Sequence, residues 1–558
     1  MSGGAENLTV ELRQQHQEAL PDELPTGYYL ENFAYLLGFV VDRYASLLST
    51  EELAFSDRFL SLDEPAKKLF VRLLNRKGQF FRVDKLIYEE IPDINKALNE
   101  LLDNSFVRQV TPDIEDALNL CNRTELLAHP MVSELPASTK KQLLVERFLG
   151  AGVNPLEALE IPVVEQLNQE SCAVYRLLFF GNFHQDMTEF VLHELIAPFE
   201  AYELDSDSSL FSSRAVIDSL IELKALSDLS YELMEQDASG DLLIALAEAL
   251  PERSNEPILA RRFDRIANRV ARQLERLECQ VEALQLYERS FTAPSRERQA
   301  RLLEKLGRIE ESLDLCEAIV TAPENEEELE FAHQFGVRHA RKHGCDRQTF
   351  TKPARDMPIE TIQVPRVSDR VELSALEYYR GLGFDAYYVE NALMRSLFGL
   401  CFWDIIYAPV KGAFFHPFQR GPADLYSPDF VASRSRLIED RFAELDSDLK
   451  IRVTQTLKQK YGTANQFVYW GLLDDSLLEN CFSTIPGEHL CRIFRRMLAD
   501  LRNNTNGLPD LILFSGNSYQ LVEIKGPGDK LQKNQTRWFE FFRQEHIPAS
   551  VANVEYSS

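Results

Sequence analysis

The C-terminal segment, residues 507–556, constrains the fold more than any other part of the sequence. An apolar run predicts a strand over Leu511–Phe514, the turn residues SGNS follow, and a second strand covers Tyr519–Lys525. A Gly-Pro-Gly loop then leads to a helix over about 533 to 544 and to a last strand over about 549 to 556. This order of elements predicts an α/β domain with a sheet at its centre.

Three charged residues of this segment are expected to meet at one edge of the sheet. Asp510 begins the first strand, and Glu523 and Lys525 share a face of the second because side chains alternate along a strand. In isolation, the PD and ExK motifs also fit solvated charges at a strand edge. The apolar residues around them and the amphipathic helix with Gln535 and Trp538 favour an active site instead.

Two carboxylates next to a lysine are typical of a metal-dependent phosphodiesterase. Carboxylate oxygens suit a hard cation such as Mg²⁺ or Mn²⁺, and the backbone carbonyl of Ile524 can add a ligand. A bound ion of this kind lowers the pKa of a coordinated water, which Lys525 is expected to orient. We therefore predict a PD-(D/E)xK nuclease site in which Asp510, Glu523 and Lys525 are catalytic and Asp510, Glu523 and Ile524 bind the metal.

The residues ahead of this domain are mostly helix-forming, and 558 residues suffice for several domains of roughly 100 to 200 residues each. Residues 274–294 (LERLECQVEALQLYERSFTAP) align with residues 303–323 (LEKLGRIEESLDLCEAIVTAP), a period of 29 that resembles a tetratricopeptide-like helical pair. We predict an N-terminal helical, winged-helix-like domain over 1–121, a small helical domain over 122–215, helical repeats over 216–350, a linker with three prolines over 351–367, and the nuclease domain over 368–558.

The net charge of −28 argues against a protein that coats nucleic acid through overall attraction, so DNA contacts require local basic patches. Arginines at helical spacing, as in ARRFDRIANRVARQLER, are candidates, although a solvated helix face balanced by glutamates explains the same pattern. The residues predicted to contact DNA are Arg76, Lys77, Arg82, Lys140, Lys141, Arg265, Arg269, Arg492, Arg496 and Gln535.

The cysteine, histidine and hydropathy patterns each argue against one kind of site or segment. The eight cysteines form no CxxC pair, so neither a zinc finger nor a disulfide framework is predicted. His333, His339 and His343 lie close together without an acidic or cysteine partner at ligand spacing, and we interpret them as surface histidines. The sequence has no apolar run of the roughly 18 to 20 residues that span a membrane and no basic leader, so the protein is expected to stay where it is made, away from membranes.

The sequence also resembles the VRR-NUC domain and, within it, the Fanconi-anaemia-associated nuclease family. The likeness is carried by GLPDL, by LVEIKGPGDKL with Gln535 and Trp538 after it, and by YYVENALMRSLFGLCFWDIIY, RGPADLYSPDF, IPGEHLCRIFRRML and RLLNRKGQFFRVDKL. It implies a multidomain, mostly α-helical chain in which residues 122–215 are SAP-like and the repeats are TPR-like. The last domain would be an α/β restriction-endonuclease-like nuclease domain.

The resemblance implies a 5′ flap endonuclease and 5′ to 3′ exonuclease that acts on branched DNA in interstrand crosslink repair. It also implies a further catalytic, metal-binding glutamate on a helix ahead of the PD motif. Glu390 matches this position, with Asp404 and Asp424 as the next candidates because the glycines that flank it in the family are absent. The clustered Cys and His of the zinc module in animal members are missing, so a ubiquitin-dependent partner is not expected. The resemblance implies a bacterial-type member that is cytoplasmic and associated with the nucleoid, or nuclear in a eukaryote. It also implies a protein that can form a dimer on DNA.

Two other functions stay open at this point. A junction-resolving or restriction-like nuclease would share the motif, but such enzymes usually act as symmetric dimers and lack long helical domains. A non-catalytic DNA-binding scaffold with a degenerate nuclease fold is disfavoured by the intact Asp510, Glu523 and Lys525.

Overall fold

The computed structural model describes residues 8–19, 25, 27–157, 160–195, 197–204, 210–350, 357–427 and 429–557. Contacts between residues divide the chain into two compact units. The described residues of the N-terminal unit come from Gln17–Leu210 and Phe414–Gln419, and those of the C-terminal unit from Met1–His16, Phe211–Ala413 and Arg420–Ser558. Across the described residues, no helix is both long and apolar enough to cross a membrane.

The first part of the chain combines helices with a small sheet. Its elements are α1 (Leu8–Ala19), α2 (Tyr28–Tyr44), α3 (Thr50–Ser61), α4 (Glu64–Leu74), β1 (Phe80–Arg82), α5 (Ile94–Asp103), β2 (Val107–Val110), α6 (Ile114–Leu120), α7 (Arg123–Ala128), α8 (Lys141–Ala151), β3 (Val163–Gln166), α9 (Gln169–Phe180) and α10 (Thr188–Leu195). Short 3₁₀ helices cover Ala45–Leu47, Val83–Lys85 and Pro130–Val132. The strands form an antiparallel sheet in the order β1-β3-β2.

This sheet joins the two N-terminal domains that the sequence predicts. β3 lies in the predicted domain 122–215, yet both of its partners belong to the predicted domain 1–121. The boundary predicted at residue 121 therefore does not separate two folding units. The sequence gives no sign of this, because pairing between strands that are far apart in the chain leaves no local pattern. Aromatic rings fill the core of the helical part, where Phe70 and Phe106 meet edge to face with ring centroids 4.9 Å apart.

The middle of the chain consists of seven consecutive helices, consistent with the predicted repeats. They are α11 (Arg214–Glu235), α12 (Gly240–Ala249), α13 (Pro257–Arg276), α14 (Gln280–Glu288), α15 (Ser295–Lys305), α16 (Ile309–Thr321) and α17 (Glu326–His343). The turns at Glu278 and Gly307 occupy equivalent places in the two repeats, and both residues adopt a left-handed backbone (φ 64° and 78°). The matching Leu284 and Leu313 are both buried, so the sequence repeat corresponds to a packing repeat.

The last part of the chain is a mixed sheet with helices around it. Its elements are β4 (Ile359–Val364), α18 (Val371–Gly381), β5 (Asp385–Tyr388), α19 (Ala392–Cys401), α20 (Trp403–Ile406), α21 (Asp429–Ser433), α22 (Ser435–Lys460), α23 (Asp475–Thr484), α24 (Gly487–Ala499), β6 (Leu511–Ser515), β7 (Ser518–Lys525), α25 (Lys533–Gln544) and β8 (Ala549–Tyr556). The strand order is β4-β8-β7-β6-β5. β8 is parallel to both of its neighbours, whereas β6 is antiparallel to both β5 and β7. Helix α18 packs Ala375 and Tyr379 onto this sheet.

The linker predicted over 351–367 is wrong in its second half. Residues 351–356 lie outside the described residues, but residues 359–364 form β4, an edge strand that pairs with β8 from Ile359 opposite Val551 to Val364 opposite Tyr556. Pro358 and Pro365 flank the strand, where a missing N–H interrupts no ladder bond. Two of the three prolines that suggested a linker therefore mark the ends of a strand.

Candidate active site

Asp510 lies just before β6 and is held by backbone groups from two neighbouring segments. Its backbone oxygen accepts hydrogen bonds from the N–H groups of Val389 (2.8 Å) and Glu390 (2.9 Å). Its carboxylate Oδ2 accepts a further one from the backbone N–H of Ile524 in β7 (2.8 Å). The structure thus fixes this carboxylate beside the ExK motif.

The side chains of Glu523 and Lys525 meet on one face of β7. Lys525 Nζ lies 2.7 Å from Glu523 Oε1 and donates a second hydrogen bond to Gln535 Oε1 at 3.0 Å. Gln535, in the first turn of α25, also donates from Nε2 to Glu523 Oε1. Its Oε1 accepts another hydrogen bond from the backbone N–H of Gln532 (2.9 Å). Gln535, which the sequence suggested as a DNA contact, therefore bridges the two charged groups.

Glu523 is buried and Asp510 is half-buried, and Lys525 is the nearby cation that favours the ionised form of both. Glu523 is 1% exposed, and its Oε2 has no hydrogen-bond partner among the described residues. Burial raises the pKa of Glu523 to about 8, and the charge of Asp510 adds to the rise. Burial also raises the pKa of Asp510 to about 6. Because a bound dication would favour the ionised form of both groups, this set of oxygen donors fits a hard metal ion.

Glu390 lies in the turn between β5 and α19, not within a helix as the resemblance implied. Its φ of +36° is in the left-handed region that residues other than glycine rarely adopt. The hydroxyl of Tyr388 donates a hydrogen bond to Glu390 Oε2 (2.6 Å), and Arg370 Nη2 donates to that hydroxyl (2.9 Å). After burial, the charge of Glu390 is among the causes of the raised pKa of Asp510, so the two carboxylates interact.

Glu372, in the first turn of α18, is a carboxylate that sequence reasoning missed. Its charge also contributes, after burial, to the raised pKa of Asp510. No motif spacing connects α18 with β6, because they are distant in the chain and meet only when the helix packs on the sheet. Glu372 therefore joins the electrostatic surroundings of the site.

Asp404 and Asp424, the alternatives to Glu390, are held in ion pairs elsewhere. Arg441 donates to both oxygens of Asp404 at 2.9 and 2.7 Å. Arg434, whose side chain is fully buried, lies 2.7 Å from Asp424 Oδ2. Asp404 thus stabilises the packing of α20 against α22. Asp424 joins the loop before α21 to Arg434, the residue just before α22.

Comparison with known proteins places this geometry in a family. A model described as FAN1, HTH domain matches residues 27–108, and the VRR-NUC domain model matches residues 446–556, which contain Asp510, Glu523 and Lys525. The Fanconi-associated nuclease 1 homolog of Pseudomonas aeruginosa is 35% identical over 572 residues, which span 98% of this chain and 99% of that protein. The chain belongs to the Fanconi-associated nuclease family.

More distant members and solved structures agree with this assignment. The Fanconi-associated nuclease 1 homolog of Arabidopsis thaliana is 24% identical over 98% of this chain and 68% of its own length. The crystal structure of paFAN1 bound to 2nt 5′flap DNA with gap is similar over 96% of this chain and 100% of that one, with 34% identity and a TM-score of 0.89. This Fanconi-associated nuclease is thus a bacterial-type, structure-specific nuclease whose nuclease domain uses a divalent metal.

The basic residues predicted near the N-terminus of this family member have different surroundings. Arg76 and Lys77 are exposed after α4, and the Arg76 guanidinium lies over the ring of Phe81, 5.4 Å from its centroid. Arg82 is 4% exposed and pairs with Asp84 (2.7 Å) and Glu125 (2.8 Å). Arg82 is therefore a structural arginine, and the prediction that it contacts DNA is not supported.

The other predicted lysines and the arginine-rich helix also differ in exposure. Lys140 is exposed and Lys141 half-buried at the start of α8. On α13, Arg265 is exposed, and desolvation together with the positive charges of Arg261 and Arg502 lowers its pKa. Arg269 instead donates to Ser230 Oγ (3.1 Å) and Ser227 Oγ (2.8 Å) and stacks on Tyr231. The series is therefore part basic surface and part internal packing.

Arg492 and Arg496 on α24 are used within the protein. Arg492 Nη1 lies 3.1 Å from Glu545 Oε2 and donates to the Glu545 backbone oxygen at 2.9 Å. Arg496 donates to both oxygens of Glu326 at 3.0 and 2.7 Å, and its guanidinium lies 5.0 Å from the centroid of the Trp538 ring. The prediction that these two arginines bind DNA is not supported, because their charges stabilise the packing of α24.

Two hollows contain basic residues that, apart from Arg76, the sequence analysis did not single out. One of about 380 Å³, next to the N-terminus of α25, is lined by Arg502, Lys533 and Arg537 among others. Another of about 580 Å³, within the N-terminal unit, combines basic and tyrosine side chains: Arg72, Arg76, Lys85, Arg176, Tyr28, Tyr29 and Tyr88. Basic groups that converge from separate segments of the chain leave no run in the sequence, so only the structure identifies them.

Proposed function

We propose that this nuclease cleaves flapped DNA as a 5′ flap endonuclease and 5′ to 3′ exonuclease in interstrand crosslink repair. The observation that carries the proposal is the pair of carboxylates formed by half-buried Asp510 and buried Glu523. Lys525 contacts Glu523 Oε1, and Glu523 Oε2 has no hydrogen-bond partner among the described residues. The likeness to paFAN1 bound to 1nt and 2nt 5′flap DNA supports the choice of substrate.

Asp510, Glu523 and Glu390 are proposed to hold Mg²⁺ or Mn²⁺, with the backbone oxygen of Ile524 as a further ligand. When bound, the ion supplies a Lewis acid and lowers the pKa of a coordinated water. Glu523 Oε2 has no hydrogen-bond partner among the described residues, and burial of a carboxylate oxygen without a partner costs free energy. A bound metal ion would supply that partner. Oxygen ligands favour these hard ions over softer metals.

Lys525 is proposed to act directly on the scissile phosphate or on the attacking water. Its ammonium has three donors, and among the described residues Glu523 and Gln535 engage two of them, which leaves one for an oxygen of the reacting group. Gln535 would be a positioning residue, because its hydrogen bonds hold the Lys525 ammonium beside Glu523. The backbone N–H of Ile524 orients Asp510 in the same way.

Phosphates beyond the scissile bond are proposed to lie along the exposed basic groups. The hollow beside α25 presents Arg502, Lys533 and Arg537 close to the helix that carries Gln535. The helix N-terminus adds a favourable partial positive charge for a phosphate. In the N-terminal unit, Arg76 and Lys77 are the proposed contacts to a duplex arm.

The test is digestion of labelled substrates by the full chain with Mg²⁺ or Mn²⁺. A 5′ flap duplex, a four-way junction and a single strand are compared for the wild type, Asp510→Ala and Lys525→Ala. Asp385→Ala, an exposed carboxylate at the far end of β5, is the matched control. We expect metal-dependent cleavage near the flap junction that is lost only in the first two variants. Preference for the four-way junction would point to a resolving enzyme, and absence of all cleavage would refute the proposal.

We also propose that the protein dimerises on flapped DNA, associates with the nucleoid and needs no ubiquitin-bearing partner. Mass photometry of the protein with and without a flap duplex measures the stoichiometry. A strictly monomeric complex at saturating DNA would refute dimerisation.

A further inference from the structure

Two histidines of the repeat region lie beside a carboxylate from a different helix. His339 and His343 are one turn apart on α17, and Glu304 is the penultimate residue of α15. His339 Nδ1 lies 3.3 Å from Glu304 Oε1, and His343 Nε2 lies 3.9 Å from the same oxygen. The sequence suggested surface histidines without an acidic partner, because Glu304 is too far along the chain to show as ligand spacing.

The separation between Glu304 and His339 has the length expected in a tetrahedral metal centre. Ligand bonds of about 2.0 to 2.1 Å at a tetrahedral angle separate neighbouring ligand atoms by about 3.3 Å. The three ligand atoms lie within 4.8 Å of one another. The 3.3 Å between Glu304 and His339 equals the tetrahedral value, and the 3.9 Å between Glu304 and His343 is wider, so the exposed His343 ring has to move closer when an ion binds. Two histidines at positions i and i+4 of a helix present their rings on one side, as in helical zinc motifs.

His339 has no other evident role for its polar atoms. It is 1% exposed, and neither ring nitrogen makes a well-aligned hydrogen bond to any part of the chain that the structure describes. The ring lies against Phe335 on one side and faces the edge of His343 on the other. An imidazole buried in this way is stabilised if one nitrogen binds a metal.

Lys342 is the group that competes with a cation here. Its ammonium lies 2.9 Å from Glu304 Oε1, and its side chain is 63% exposed. A lysine this exposed can swing into solvent when a dication takes its place on the carboxylate. The same contact predicts that removal of the lysine charge strengthens metal binding.

We propose that Glu304, His339 and His343 form a binding site for a transition-metal dication of the Zn²⁺ class, with water in the remaining position. Nitrogen donors favour such ions over Mg²⁺, so the site is chemically distinct from the carboxylate centre of the nuclease domain. The ion fastens α15 to α17, the last helix of the repeats. Since Glu326 and Glu330 of α17 pair with Arg496 and Arg537 of the nuclease domain, the site stiffens the helix that supports α24 and α25.

The experiment uses the full chain with Asp510→Asn and Glu523→Gln, which silence the carboxylate centre. Equilibrium dialysis against Zn²⁺ measures stoichiometry and affinity, and Co²⁺ titration reports tetrahedral coordination through its visible absorption. We expect one ion per chain. His343→Ala, at a partly exposed position, should weaken binding at least about 10-fold, whereas Lys342→Met should tighten it several-fold. His333→Ala, on the same helix, is the matched control.

The proposal fails if the silenced protein binds no Zn²⁺, or if binding is the same in His343→Ala and His333→Ala. It also fails if Lys342→Met weakens binding, because the ion would then not share Glu304 with the lysine. Glu304→Gln gives an independent check, since the amide keeps the shape of the side chain and loses the negative charge. Retained affinity in that variant would overturn the assignment of the carboxylate.

Discussion

Replacement of Glu523 by glutamine is expected to stabilise the metal-free protein at neutral pH. Burial and Asp510 raise the pKa of Glu523 in the folded chain to about 8, above the ordinary value of 4.5. Between these two values the unfolded chain releases a proton that the folded chain retains. The free energy of unfolding therefore falls as the pH rises through this window, and glutamine removes that loss. The Glu523 Oε1 contacts to Lys525 and Gln535 survive because the amide oxygen still accepts.

The size of the effect follows from the width of the window. At about 1.4 kcal/mol per pH unit, the interval from 4.5 to 7 corresponds to roughly 3 kcal/mol. For a domain of about 200 residues each kcal/mol moves Tm by about 2 to 4 °C, so the variant should melt about 6 to 12 °C higher at pH 7. At pH 4.5 the two proteins should melt together.

Differential scanning fluorimetry of both proteins in a chelator, from pH 4.5 to 8, measures this difference. Saturating Mn²⁺ should raise Tm of the wild type and leave the variant nearly unchanged, because a ligand stabilises only the state that binds it. If the glutamine variant melts at or below the wild type at pH 7 without metal, the burial argument is wrong.

Three further results are expected. Gln535→Ala should lower kcat about 10²-fold with little change in KM, since it releases Lys525; an unchanged kcat would exclude the positioning role. Arg76→Ala should weaken flap binding and reduce the slope of log K against log salt concentration by about 0.9, as measured by fluorescence anisotropy across a salt series. Arg82→Ala should leave this slope unchanged and lower Tm instead, because it breaks an internal ion pair. Arg496→Met should destabilise the protein by about 2 kcal/mol in urea with no loss of DNA affinity; weaker binding at equal stability would restore its predicted DNA contact.

Local sequence patterns predicted the end of the chain closely. The strands, the turn and the helix between residues 511 and 556 have the expected order, and their observed bounds differ from the expected ones by no more than one residue. Alternation of apolar side chains and turn-forming residues act over a few positions, so one segment contains all the information needed. The same locality put Glu523 and Lys525 on one face of a strand.

The arginines show why charge patterns in a sequence predict less about the structure than strand and turn patterns do. Arg82, Arg492 and Arg496 look like the exposed Arg76 in the sequence, yet the fold brings a carboxylate to each of the first three. Whether a guanidinium meets a carboxylate or solvent depends on a partner that can be anywhere in the chain. The count of charges alone therefore cannot separate a DNA-binding ridge from an internal ion pair.

By itself, the sequence determined the type of chemistry: two carboxylates and a lysine at strand positions, with a helix to follow. Only the tertiary structure decided what surrounds them. The charges of Glu372 and Glu390 act on Asp510, β4 joins the sheet beside β8, and Glu304 lies beside His339. In each case the fold brings together segments that are distant in the chain. The physical reason is that backbone periodicity is a local property, whereas burial and electrostatic partnership depend on which surfaces the folded chain brings into contact.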